Sequence, residues 1–147
     1  MTETTTITIS RQVPVGPERA FAAWLDVAEL ARWWWPQWPD TTYELDPREG
    51  GAYRISSAAV GMGIEGRFTT LDRPRTLAMT WTWIDDDALA EADATHVADT
   101  VEVQFTPNAA GTEVTVRHTS TEHVVGGGFE QGWNDVMDRL PGHLASR

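Results

Sequence analysis

Apolar and polar residues alternate from Thr4 to Val13, with Ile7, Ile9 and Val13 on one side and Thr6, Thr8, Ser10 and Gln12 on the other. That is the period of a half-buried strand. Arg11 falls on its apolar side. Pro14-Val-Gly-Pro17 ends the strand, and Pro17 followed by Glu18 suits the free N–H groups and positive dipole end of a first helical turn. Phe21, Trp24 and Leu25 give this short helix its buried side. Asp26 reads as the N-cap of a second short helix carrying Leu30, Trp33 and Trp34, and Pro36 disfavours helical geometry at the residue before it. From Thr41 period two returns: Tyr43 and Leu45, a turn over Pro47 to Gly51, then Tyr53 and Ile55. After a Gly-rich connection, Ile64, Gly66 and Phe68 alternate with Glu65, Arg67 and Thr69. Asp72-Arg-Pro-Arg75 is a turn, and beyond it Leu77, Met79, Trp81 and Trp83 share one side of a strand.

The acidic stretch Asp85 to Thr95 reads as a solvated loop with a helical turn over Ala88 to Ala92. Strand character resumes at Val97, Val101, Val103 and Phe105 and, past a turn at Pro107 to Gly111, at Val114 and Val116. Phe129, Trp133, Val136, Met137, Leu140 and Leu144 then recur at helical spacing, and Pro141-Gly142 should kink or fray the last turn. The order is one strand, two short helices, six strands in hairpins and one long closing helix. It predicts an α+β fold in a single domain over residues 1–147, with a curved antiparallel sheet of about seven strands wrapped around the C-terminal helix. A sheet curved over one helix encloses volume between them, where a small apolar ligand would sit.

Composition narrows the chemistry. The 147 residues include no Cys and no Lys, which removes disulfides, thiolate metal sites, cysteine nucleophiles, Schiff-base chemistry and Walker-type phosphate loops. Eleven Arg against 22 carboxylates give a net charge of -11, which argues against nucleic acid or anionic membrane as partner. No apolar run approaches the ~20 residues of a membrane span, and the first ten residues lack the basic and apolar regions of a signal peptide. The expected setting is cytoplasmic, as a monomer or homodimer. His96, His118, His123 and His143 lack zinc-site spacing, so neither metal nor other cofactor is expected. Gly126-Gly-Gly128 reads as a hinge at the mouth of the cavity.

Several spaced motifs resemble a known family: Pro17-Glu-Arg-Ala-Phe-Ala-Ala-Trp24, Leu30-Ala-Arg-Trp-Trp-Trp-Pro36, Asp46 with Gly50-Gly-Ala-Tyr-Arg54, Gly66, and Gly132-Trp133. Together, over nearly the whole chain, they are similar to the activator of heat-shock-protein-90 ATPase homologue family of the START-like (SRPBCC) superfamily. The resemblance implies the helix-grip fold. It leaves function open, because that superfamily includes lipid carriers, hormone receptors, cyclases and co-chaperones. The family usually has a small residue where this chain has Trp35, and Trp38 adds a further indole. Its eukaryotic co-chaperones also carry an amino-terminal domain that 147 residues do not accommodate.

The polar residues that share a face with the core are the candidates for chemistry. Pairing Val103 with Val114 and Val101 with Val116 sets Asp99 opposite His118, and a parallel count places Trp81 beside Asp99 and beside Gly66, whose missing side chain would admit the indole. The pair is either an acid–base couple inside a cavity or two groups that satisfy each other at a strand end. Arg11 either meets a ligand anion or reaches solvent. Tyr53, Phe68, Met79, Trp81, Trp83 and Trp133 are expected to line the ligand cavity, with Trp35 and Trp38 at its entrance. The expected function is binding of a small apolar or aromatic molecule. The alternatives are a cyclase, isomerase or hydrolase using His118 and Asp99, and a co-chaperone-like interaction module.

Overall fold

The computed structural model describes residues 5–38, 40–57, 62–85, 99–120 and 128–145. Seven strands form one antiparallel sheet: β1 (Thr5–Val13), β2 (Thr41–Leu45), β3 (Ala52–Ser57), β4 (Met62–Asp72), β5 (Thr76–Asp85), β6 (Asp99–Asn108) and β7 (Gly111–Ser120). Two short helices, α1 (Pro17–Ala22) and α2 (Val27–Trp33), follow β1, and α3 (Gly128–Ala145) closes the chain. The strand order β1-β7-β6-β5-β4-β3-β2 makes every neighbour except β1–β7 a sequential hairpin. This is the α+β architecture that the alternation predicts. The helical turn expected over Ala88 to Ala92, Val97 and the glycines Gly126 and Gly127 lie outside the described residues.

The local signals act as their chemistry dictates. Pro17 opens α1 after Gly16. The Asp26 carboxylate accepts from Ala28 N at 2.8 Å and Glu29 N at 3.4 Å, capping α2. α3 continues through Pro141 to Ala145. Leu140 and Leu144 are buried on either side of that proline, so packing of the apolar stripe holds the last turn in place.

Helices and sheet are tied at two points. Arg11 on β1 donates through Nε to Asp138 at 2.9 Å and through Nη2 to Asn134 at 2.7 Å, both on α3. Arg11 therefore meets a carboxylate of its own chain, and it clips the helix to the sheet edge. In the last turn of α3, His143 Nε2 donates to Glu29 Oε1 at 2.9 Å, and the same oxygen forms an ion pair with Arg19 Nη1 at 2.7 Å, so one carboxylate joins all three helices. Between these layers lie Phe21, Trp24, Leu30, Trp33, Trp34, Met137 and Leu140 with the inward residues of the sheet.

The β6–β7 register differs from the expected one. Val103 pairs with Val116, Val101 with His118 and Phe105 with Val114. The cause is the turn, which lies one residue later than expected: Asn108 pairs with Gly111, the Asn108 amide oxygen accepts from Ala110 N at 3.1 Å, and Gly111 has φ 138. Moving a turn by one residue shifts the ladder by two, which keeps every side chain on its own face.

Gly66 also has a different reason from the one expected. The β4–β5 ladder runs to Glu65↔Thr82 and resumes at Phe68↔Met79. In the interval the Thr80 carbonyl accepts from Tyr53 Oη at 2.6 Å, and Thr80 Oγ1 accepts from Arg67 N at 2.9 Å. A Cβ on Gly66 would stand 2.1 Å from the Thr80 carbonyl oxygen, so the glycine makes room for backbone and not for the Trp81 indole. Gly66→Ala is therefore expected to destabilise the fold by about 2 kcal/mol or more, as overpacking does, read as a lowered urea midpoint. An unchanged midpoint would contradict this account of Gly66.

Candidate functional site

The inward faces of β5, β6 and β7 bring Trp81, Asp99 and His118 together. Trp81 is the ladder partner of Asp99, as the sequence predicts. Asp99 and His118 are not direct partners, but they lie diagonally on one face, a separation that long side chains span. The Asp99 Oδ2 to His118 Nε2 distance is 2.7 Å. On the other side of the ring, Trp133 from α3 donates its Nε1–H to His118 Nδ1 at 2.8 Å. An indole can only donate, so Nδ1 carries the lone pair, and the imidazole hydrogen sits on Nε2 and points to the carboxylate. The chain Trp133–His118–Asp99 thus uses both imidazole nitrogens within the protein. All three residues are buried, His118 to 1 % exposure.

An array of indoles surrounds this chain. Trp81 has ring centroids 5.2 Å from His118, 5.1 Å from Trp133 and 6.1 Å from Trp34. Trp34 lies 5.4 Å from Trp133 and 6.0 Å from Trp24, most of these contacts tilted or edge-on as aromatic quadrupoles prefer. Trp33 spends its Nε1–H on the Ala23 carbonyl at 3.2 Å. Trp24 Nε1 and Trp34 Nε1 are buried with no hydrogen-bond partner among the described residues.

The expected site residues divide. Trp81 and Trp133 flank His118 directly. Tyr53 and Phe68 pair with each other at 5.4 Å, and the Tyr53 hydroxyl is committed to the Thr80 carbonyl. Burial, with a smaller contribution from the Glu65 charge, raises the Tyr53 pKa above its ordinary value, so the hydroxyl stays a donor. Met79 is buried opposite Phe68. Trp83 pairs with Ile64 in the backbone ladder, and its side chain lies outside the described residues. Trp35 is buried and Trp38 half-buried, their rings 4.9 Å apart. Arg11 lies apart, on β1, bonded to Asp138 and Asn134 of α3. Trp34, read from the sequence as plain packing, is the residue that joins the His118 end of the array to Trp35. Nothing in the alternation signals that role, because it depends on how α2 crosses the sheet.

The array lies toward the end of the sheet at which β6 begins and β7 ends: Trp81 pairs with Asp99 and Thr100 with Thr119, while β5 continues past Trp81 to Asp85. A separate cleft of about 600 Å³ is lined by Glu44, Asp46, Arg54, Glu65, Arg67 and Thr80, among others. It carries charges of both signs and no indole. Among the described residues no three His, Asp or Glu side chains converge as a metal site, and no helix is long and apolar enough to cross a membrane.

Comparison with known proteins gives the fold and a family. The profile of the family described as Activator of Hsp90 ATPase homolog 1-like protein matches residues 14–145. Among solved structures, a Rhizobium leguminosarum protein superposes with TM-score 0.79 at 19% identity, covering 100% of this chain and 98% of its own. A Rhodobacter sphaeroides protein gives TM-score 0.77 at 22% identity, over 97% and 93%. The AHSA1-like protein of Aeromonas hydrophila gives 0.73 at 21%, over 97% and 93%. No curated protein matches.

The hydrogen-bonded chain makes a directional prediction. His118→Ala strands a buried carboxylate and is expected to cost about 3 kcal/mol or more. Asp99→Asn keeps an acceptor for Nε2–H and should cost about 1 kcal/mol. Urea unfolding of both variants measures this; equal costs would show that Asp99 and His118 do not depend on each other.

Proposed function

This chain belongs to the Activator of Hsp90 ATPase homolog 1-like protein family, and on that premise we propose that it binds a small apolar or aromatic molecule bearing a hydrogen-bond acceptor, held against the indole array. Membership supports a ligand-binding or interaction module in general. The choice of a small molecule is carried by one observation: the neighbouring Trp24 and Trp34 Nε1–H groups are buried without an acceptor among the described residues. A buried donor without a partner costs about 1–3 kcal/mol. A ligand carbonyl or ether oxygen that accepts from one of them offsets that cost, while the ligand's rings replace water against indole faces.

Position supports the same reading, since the array adjoins the end of the sheet at which β6 begins and β7 ends. The use of both His118 nitrogens inside the protein favours a role in positioning Trp133 over proton transfer to a ligand. Asp99 serves the same end by fixing the imidazole tautomer.

The test is a tryptophan-fluorescence titration with 2-acetylnaphthalene, two fused rings with one carbonyl acceptor. Saturable one-to-one quenching is expected, weakened about tenfold in either Trp34→Phe or Trp24→Phe, each of which keeps a ring and loses the N–H; tenfold corresponds to about 1.4 kcal/mol, the scale of one hydrogen bond. Quenching that does not saturate, or affinity equal to the original in both variants, would refute the proposal.

A further inference from the structure

The β4–β5 ladder is broken between Glu65↔Thr82 and Phe68↔Met79. The cleft of about 600 Å³ lies at this break, lined by Gly66 and Thr80 together with residues of β2 and β3. It opens on the face of the sheet opposite the core, because its charged residues Glu44, Arg54 and Glu65 alternate with Tyr43, Tyr53, Ile55 and Ile64, which pack inward. Those three charges form one row across three strands, since Arg54 is the ladder partner of Glu44 on one side and of Glu65 on the other. Neighbouring strands stand about 4.8 Å apart, so the backbone positions of the two glutamates are roughly 10 Å from each other, with the arginine between them.

The row is charged but not paired within the protein. Among the described residues, the side chains of Glu44, Arg54 and Glu65 have no hydrogen-bond or ion-pair partner. Other charges of the cleft are engaged: Asp46 pairs with Arg48 at 2.8 Å, and Arg67 donates to the Gly50 carbonyl at 3.0 Å. Arg54 is half-buried, and a guanidinium partly removed from water gains most from a planar carboxylate that accepts two of its N–H groups. An anion alone is disfavoured there, because Glu44 and Glu65 repel it from both sides. A cation alone leaves Arg54 unmatched. One unpaired cation flanked by two unpaired anions is complementary to a ligand with one carboxylate and two cationic groups.

We infer that this cleft is a second binding site, separate from the indole array, and that it takes a free α-amino acid with a cationic side chain, such as arginine or lysine. The carboxylate meets Arg54 in a bidentate pair. The α-ammonium and the side-chain cation each meet one of the two glutamates, which stand on opposite sides of Arg54 as the separated cationic ends of such a ligand require. An amino acid with a neutral side chain leaves one glutamate unmatched, so the charge pattern of the row sets the specificity.

Isothermal titration with L-arginine is expected to give saturable one-to-one binding at roughly millimolar affinity or tighter. Agmatine, which lacks the carboxylate, and Nα-acetyl-L-arginine, which lacks the α-ammonium, should each bind about tenfold more weakly or worse, the scale of one lost charge-assisted contact. Arg54→Gln should weaken L-arginine binding by about tenfold and abolish its advantage over agmatine, and Glu44→Gln and Glu65→Gln should each weaken it by about tenfold. These side chains bond nothing else among the described residues, so the variants keep the fold. Glu102→Gln, on the outer face of β6 and outside the cleft, removes the same charge and should change the affinity less than about twofold. The site is overturned by any of three results: titration with L-arginine that does not saturate, agmatine binding as tightly as L-arginine, or a loss in Glu102→Gln equal to those in the cleft variants. The last would mark attraction to the net charge of -11 alone. None of these outcomes bears on the indole array.

Discussion

The hydrogen-bonded chain from Trp133 through His118 to Asp99 is the constraint on which the arrangement of the site depends. A sheet that curves over a single helix is held mainly by apolar contact, which is non-directional and tolerates sliding. An indole N–H buried at the same interface is directional. It must meet its acceptor within hydrogen-bond geometry or lose its solvation without return. Trp133 therefore fixes the rotation of α3 against β7. The Trp133 ring so fixed presents its faces to Trp81 and Trp34, and the rest of the array follows from those contacts.

The same chain explains an aspartate in the core of this domain. Burial of a carboxylate is costly unless it accepts hydrogen bonds, and Asp99 accepts one from a histidine that is itself oriented by the indole. Each member satisfies the next, so the network specifies one arrangement in a low-dielectric setting where a half-satisfied one would be unfavourable. Other polar contacts have different tasks. The Arg11 clip and the Glu29 junction lie nearer the surface, where ion pairs contribute little to stability; the first joins α3 to β1 and the second joins the three helices to one another.

Much of this was legible in the sequence, for a definable reason. Alternation assigns each strand residue to a face, and the two-residue shift of the β6–β7 ladder leaves those faces unchanged. Asp99 and His118 meet although their pairing was read two residues off. The N-cap at Asp26 and Pro17 in the first turn of α1 are local and were equally readable. Features that join elements were not. The bond from Trp133 to His118 depends on the rotation of α3, and the central place of Trp34 depends on the crossing of α2 over the sheet. Gly66 was read correctly as a site of close approach, yet the approaching group is the Thr80 backbone. The left-handed backbone of Trp35, at φ 57, is hidden because composition alone points to glycine at such a position, although the unusual indole there was itself the visible signal.

The most direct test of the central constraint is the protonation pattern of the His118 ring, read from a long-range proton–nitrogen correlation spectrum of nitrogen-15-labelled protein at neutral pH. The account predicts an Nε2–H tautomer, with Nδ1 resonating as an unprotonated acceptor coupled to the Trp133 indole N–H. A hydrogen on Nδ1, in either the other neutral tautomer or the imidazolium, would contradict it, because the Trp133 donor would then have no lone pair to meet.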